Sequence, residues 1–156
     1  MTRTIVVGGA ARSGKTTLAT LLSAGLGIPH ANIGDSLRDA LSAAGAPPIP
    51  RRSIGAEYIA RFGFESYVRH VVSMLEAGVV LDGLRHREPL LRCTKPYVIV
   101  CRGAPPCRDE EDASWERGAE GVCASADFTV PWQPSREMVI AQSVELVRKL
   151  GREAAP

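Results

Sequence analysis

Near its start the chain reads Gly9-Ala10-Ala11-Arg12-Ser13-Gly14-Lys15-Thr16, followed by Thr17. This matches G-x-x-x-x-G-K-[ST], a glycine-rich loop whose backbone N–H groups surround phosphate oxygens. The flanks fit: Thr4-Ile5-Val6-Val7 is a β-branched run and Thr16 to Ala24 reads as a helix. Strand, loop and helix in that order bring the loop amides together with the positive end of a helix dipole, which favours anions. The motif assigns Lys15 to the β- and γ-phosphates and the Thr16 hydroxyl to Mg²⁺. Gly9, Ala10, Arg12, Ser13, Gly14 and Thr17 complete the expected nucleotide-binding set.

The rest of the chain alternates strands and helices. His30 to Ile33 reads as a second strand, and Gly34-Asp35 opens a helix to about Ala44 with Leu37 and Leu41 on one face. Gly45 to Pro50 is a proline-rich loop, and Ser53 is placed to cap a short helix ending near Gly63. Phe64 to Ala77 carries apolar residues at the helical period, at Phe64, Tyr67, Val68, Val71, Val72 and Leu75. Gly78 stops it before the apolar strand Val79 to Asp82. A short helix at Glu88 to Cys93 leads to a strand at Tyr97 to Cys101, and Cys101 to Asp112 reads as a mobile loop. Phe128 to Val130 is a last strand, and Pro134-Ser135 opens a terminal helix expected to turn Ile140, Val144 and Val147 to the core. Apolar strand runs separated by helices predict a parallel sheet covered on both faces. The expected fold class is therefore α/β, a three-layer P-loop NTPase fold with a five-stranded parallel sheet and helices on both faces.

The 156 residues predict a single domain over 1–156. With 19 basic and 17 acidic residues, no global field points to nucleic acid, so a DNA acceptor is not indicated by charge. No apolar run approaches the roughly 18 residues of a membrane span, and no membrane partner is expected. The first residues lack a signal-peptide pattern, so a cytoplasmic location is expected. Cys93, Cys101, Cys107 and Cys123 show no C-x-x-C spacing, and His30, His70 and His86 are scattered. Free thiols are expected, and zinc is not.

Asp82 ends an apolar strand, the form of the acid that positions Mg²⁺ beside a P-loop, and with Thr16 it makes the expected metal pair. Arg85 follows at the sheet edge where ligands of open α/β folds collect. Asp82-Gly83-Leu84-Arg85 lacks the second glycine of a GTPase switch, and Thr94-Lys95-Pro96-Tyr97 has Tyr where a guanine-reading Asp belongs. A small kinase instead needs arginines for the acceptor and for the transition-state charge. Arg38, Arg51, Arg52 and Arg85 precede the fourth strand, and Arg102, Arg108 and Arg117 lie beyond it. Tyr58, Phe62 and Phe64 form an aromatic group able to stack on a base, with core packing expected for at least two of them. Asp35 can cap its helix or face the cleft as a base or positioning group, and the two roles are compatible.

Gly34-Asp35-Ser36-Leu37-Arg38, Arg52, Val79 to Arg85 with Glu88, and Ala126 to Val130 together resemble the small phage and bacterial deoxynucleoside monophosphate kinases and their relative dephospho-coenzyme A kinase. The resemblance spans nearly the whole chain. It implies an ATP-dependent, Mg²⁺-requiring phosphotransferase acting on a nucleotide-like acceptor, most simply a (deoxy)nucleoside monophosphate. It also implies an acceptor region over 34–78, with Asp35, Arg38, Arg52 and Arg85 at the acceptor and Lys15, Asp35 and Arg85 catalytic. A short lid-like segment over 102–118 follows from it, with Arg102 and Arg108 closing on the phosphates; the acids Asp109, Glu110, Glu111 and Asp112 depart from a basic lid. An alcohol acceptor (dephospho-coenzyme A or a hydroxymethylated base, even within DNA) is the second reading. A nucleotide-binding ATPase or switch without an acceptor is the third, and the chain is expected to be a monomer or homodimer.

Overall fold

A computed structural model describes residues 3–10, 12–105 and 117–153. Five strands form one parallel sheet: β1 (Thr4–Gly9), β2 (His30–Asn32), β3 (Val80–Asp82), β4 (Tyr97–Arg102) and β5 (Phe128–Val130), in the order β2-β3-β1-β4-β5. Among the described residues, seven α-helices connect or flank them: α1 (Lys15–Leu26), α2 (Ile33–Ala43), α3 (Ile54–Phe62), α4 (Phe64–Leu75), α5 (Glu88–Arg92), α6 (Arg117–Cys123) and α7 (Arg136–Glu153).

Strand alternation divides the core into two layers. Ile5, Val7, Val80, Val98 and Val100 point to one face and pack with Leu18, Ala19 and Leu22 of α1 and Leu146 and Leu150 of α7. Val6, Leu81, Ile99 and Cys101 point to the other and meet Leu37 and Leu41 of α2, Tyr58 of α3 and Val68 and Val71 of α4. Burial on both faces is why these strands read as unbroken apolar runs. The central strand β1 is buried along its whole length, so the loop that follows it leaves a rigid base.

Helix ends follow local chemistry, with two departures from expectation. Asn32 ends β2 and caps α2, its Oδ1 accepting the Asp35 N–H at 3.0 Å, so the helix begins before Asp35. Ser53 makes no side-chain cap; it closes a 3-10 turn at Arg51–Ser53, its N–H donating to Pro50 O.

The terminal helix is rotated from the expected face. Val139, Ser143, Leu146 and Leu150 are buried, whereas Ile140 and Val144 are 40% and 44% exposed. Val147 does pack inward, against Gly25 of α1, where a Cβ would lie 2.6 Å from its Cγ2. The true stripe runs through Ser143, which hides it from an apolar count; its hydroxyl is satisfied locally by donating to Ile140 O at 2.7 Å.

The cysteine expectation is also corrected. Cys101 and Cys123 form a disulfide with Cα atoms 5.5 Å apart, joining the end of β4 to the end of α6. Cys93 is free, and Cys107 lies outside the described residues. The partners are 22 positions apart and meet only because α6 packs back against β1 and β4. No helix among the described residues is long and apolar enough to cross a membrane.

Candidate functional site

Gly9 and Gly14 adopt φ of +145° and +81°, and Gly14 sits at the N-cap of α1 without a side chain to occupy the helix amides. A Cβ on Gly9 would come within 2.8 Å of Arg102 O, so the loop can start only with glycine. Arg12 is the sole non-glycine at positive φ among the described residues, at +58°, a conformation costing a side-chain-bearing residue about 1–2 kcal/mol. Lys15 Nζ folds over the loop and donates to Ala10 O at 3.2 Å. Thr16 and Thr17 are exposed at the first turn of α1. Ser13 Oγ is buried and has no hydrogen-bond partner among the described residues.

Asp82 is fully buried on β3. It pairs in register with Val7 and Asn32, and alternation from Val80 puts it on the α1 side of the sheet. Asn32 Nδ2 donates to its Oδ1, and His30 Nε2 lies 3.4 Å from the same oxygen. Oδ2 has no partner among the described residues. An orphaned carboxylate oxygen and the Thr16 hydroxyl fit Mg²⁺, which takes few protein ligands and keeps its waters and phosphates. Among the described residues no cluster of three His, Cys, Asp or Glu side chains offers an all-protein metal cage.

Two cavities flank the loop. The larger, about 960 Å³, opens between Lys15, Thr16 and the helices α2 to α4. Its described lining holds five cations, Arg12, Lys15, Arg51, Arg52 and Arg85, and no carboxylate. Leu37, Ile54 and Ile59 form its apolar wall, and Tyr67 and His86 close one side. Tyr67 is buried, and that burial pushes its hydroxyl up to about 12, against the opposing pull of Arg85. Phe64 stacks on Tyr67 at 5.9 Å, and His86 meets both rings edge-on at 5.5 and 5.1 Å. Gly118 of α6 presses on the Arg85 carbonyl so closely that no Cβ fits, which couples α6 to an arginine of the cleft.

The smaller cavity, about 480 Å³, lies on the other side of the loop. Ser13, Gly14, Thr17, Arg102, Trp132 and Pro134 are among its walls, and Arg12 lines both cavities.

Several expected site residues sit elsewhere. Asp35 and Arg38 pair with each other at 2.9 Å on the outer face of α2, more than two-fifths exposed, and neither lines the cleft. Ile33, Gly34 and Leu37 face the cavity; at about 100° per residue Arg38 sits just past Gly34 at the rim of that side, where it turns out to pair with Asp35, which lies further round the helix. Arg102 is 3% exposed and is no lid residue; it ends β4 and donates to Ser13 O and Gln142 Oε1. Arg108 and the acids 109–112 lie outside the described residues, as does most of the segment 102–118. Tyr58 is a core residue against Phe62 and His70, at ring distances of 4.8 and 5.6 Å. Asp127 accepts the Ile99 N–H at 2.8 Å, a structural role joining β4 to the start of β5. The structure brings Arg51, one of the candidate arginines, into the larger cavity, and it adds Tyr67, His86 and Trp132, which the sequence reading does not assign to the site. Arg51 carried a sequence signal, standing beside Arg52 after a proline-rich loop; the aromatics carried none beyond core patterning.

No family profile and no curated protein sequence matches the chain. Solved structures do. The shikimate kinase of Aquifex aeolicus is similar at a TM-score of 0.61 and 17% identity, over 97% of this chain and 99% of that one. The gluconokinase of Sinorhizobium meliloti gives 0.50 and 17%, over 98% of each chain. The APS kinase of Mycobacterium tuberculosis gives 0.53 and 18%, over 96% and 97%. Sheet order, phosphate loop and full-length likeness to these proteins agree: the chain has the three-layer α/β fold of the P-loop nucleoside triphosphate-binding proteins.

Proposed function

We propose that the protein is an ATP-dependent phosphotransferase that moves the γ-phosphoryl group to an anionic, nucleotide-like acceptor, most simply a (deoxy)nucleoside monophosphate. One observation carries this reading. Two cavities meet at the phosphate loop, share Arg12, and the larger is lined by five cations and, among described residues, no carboxylate.

The smaller cavity takes the donor's nucleoside, with Trp132 beside the base, while the loop amides and Lys15 hold its phosphates. Thr16 and Asp82 would hold Mg²⁺, which supplies charge neutralisation at the phosphates when bound. Arg51 and Arg52 enter the larger cavity from the turn before α3 and meet the acceptor phosphate. Arg85, after β3, lies toward the transferring group. A phosphate acceptor attacks through an oxygen that is already ionised, so it needs no general base. An alcohol acceptor needs a group to take its proton, and no carboxylate stands in the described lining.

The test is a screen with ATP radiolabelled at its γ-phosphate against nucleoside monophosphates, coenzyme A precursors, sugar acids and hydroxymethylated DNA. Label in a nucleoside diphosphate is the expected result. Label in an alcohol phosphate overturns the acceptor, and label in inorganic phosphate alone, unchanged by every acceptor, overturns the kinase reading. Asp82→Asn is expected to raise the Mg²⁺ concentration for half-maximal rate more than it weakens nucleotide binding, measured by magnesium titration at fixed ATP.

A further inference from the structure

Arg102 is a buried cation whose side chain faces a backbone carbonyl and a neutral amide. It is 3% exposed, and no carboxylate pairs with it among the described residues. Burial pulls its guanidinium below the usual arginine value, the mark of a charge taken from water. Such a residue is costly to bury, so its contacts are informative.

Those contacts converge on the phosphate loop. Arg102 pairs in register with Gly9, and its carbonyl occupies the space a Gly9 side chain would need. Its Nε donates to the Ser13 carbonyl at 2.5 Å, across 89 positions of sequence. The same Nε lies 3.6 Å from where a Gly14 Cβ would sit. The carbonyl and the following N–H of a trans peptide point in opposite directions, and the described chain has no cis bond. Pinning the Ser13 carbonyl to the guanidinium therefore aims the Gly14 N–H away from Arg102.

The far side of the guanidinium is anchored as well. Nη1 donates to Gln142 Oε1 at 3.2 Å, and Gln142 Nε2 donates to Pro131 O at 3.0 Å. Pro131 precedes Trp132 in the wall of the smaller cavity. One connected path thus runs from the loop peptide through Arg102 and Gln142 of α7 to the Trp132 wall.

We propose that Arg102 is a positioning residue for the phosphate loop, holding the Ser13–Gly14 peptide so that its N–H faces a bound phosphate, and that Gln142 links this peptide to the wall that meets the donor base. The proposal rests on the nucleotide-binding reading above and is independent of which acceptor is used. It assigns Arg102 an action through the Ser13 peptide, distinct from lid closure.

The test is calorimetric titration of the full chain with ATP and, separately, with inorganic tripolyphosphate, which has the phosphates and no base. Arg102→Met is expected to weaken both ligands by about tenfold or more, the usual effect of losing a charge-assisted hydrogen bond. Arg102→Lys, keeping charge without the planar fork, falls between that variant and wild type. Gln142→Leu is expected to weaken ATP severalfold more than tripolyphosphate. A purely structural role would lower the melting temperature while the folded variants keep wild-type affinity for both ligands. Folded Arg102→Met that binds both ligands as wild type does overturns the proposal. If that variant does not fold, wild-type affinity in folded Arg102→Lys overturns it. Equal weakening of both ligands by Gln142→Leu overturns the link to the base wall. Wild type that binds neither ligand overturns the nucleotide reading, and this proposal with it.

Discussion

The two cavities beside the phosphate loop are built on different principles. The side proposed for the donor is made of backbone: loop amides, two glycines at positive φ, and a peptide held from behind by Arg102. The larger cavity, proposed for the acceptor, is made of side chains from the 3-10 turn, α2 to α4 and the segment after β3, which add Arg51, Arg52 and Arg85 to the Arg12 and Lys15 of the loop around an apolar floor. Backbone recognition needs contiguous residues in one conformation, so it leaves a motif. Side-chain recognition needs positions far apart in sequence to converge, so it leaves little. The difference teaches that the loop side tolerates few substitutions, and, on the proposed reading, that the side-chain cavity is where specificity can vary.

The largest expected effect attacks the donor half. Lys15→Ala should lower phosphoryl transfer on the order of 10³-fold or more while the chain stays folded, because Lys15 is half-exposed and contributes nothing to the core. Steady-state kinetics alongside a thermal melt check this, and near-normal transfer would break the assignment of the donor side.

The bridge that ties the halves together comes next. Cys101 lies on the strand that carries Arg102, and Cys123 ends the helix whose Gly118 presses on Arg85. Closing a 22-position loop is worth about 3 kcal/mol by chain entropy. The Cys101→Ser, Cys123→Ser double variant should be destabilised by that order in denaturant unfolding, and Cys93→Ser should be nearly neutral.

A smaller effect probes the acceptor wall. Tyr67 has its folded value raised to about 12 from about 10. Above pH 10 the unfolded chain loses the tyrosyl proton and the folded chain keeps it, so this contribution is full below pH 10 and fades as pH rises through 12. Two units correspond to about 2–3 kcal/mol. Wild type should lose more stability than Tyr67→Phe between pH 9 and about 12, followed by denaturant unfolding; parallel curves would remove Tyr67 from the buried wall.

The finest contrast lies within the arginines. Arg52→Ala should raise the acceptor KM by about tenfold with little change for ATP, as loss of uniform binding to a charged group does. Arg38→Ala and Asp35→Asn remove an exposed pair on α2, whose worth is below about 1 kcal/mol, and should move either KM less than about threefold. A large kcat loss in Asp35→Asn would reverse this and restore a role for its carboxylate in orienting the attacking oxygen.

Much of the fold was legible from the chain itself. The loop from Gly9 to Thr16 is read by local rules, since glycine torsions and neighbouring amides act within a few residues. The strands were legible because burial on both faces forces apolar runs, as in Val80-Leu81-Asp82 and Tyr97 to Cys101. Tertiary structure alone decided which face a helix presents and which distant residues meet. It turned α7 through Ser143, because Gly25 lets Val147 approach; it gave the α2 cap to Asn32 and left Asp35 outside the cleft. It brought Cys123 to Cys101, and it converted Arg102 from a lid candidate into the support of the loop. The disulfide, the Arg102 contact and the approach of Val147 to Gly25 each join residues 22 or more positions apart, and no short-range propensity encodes a contact of that separation.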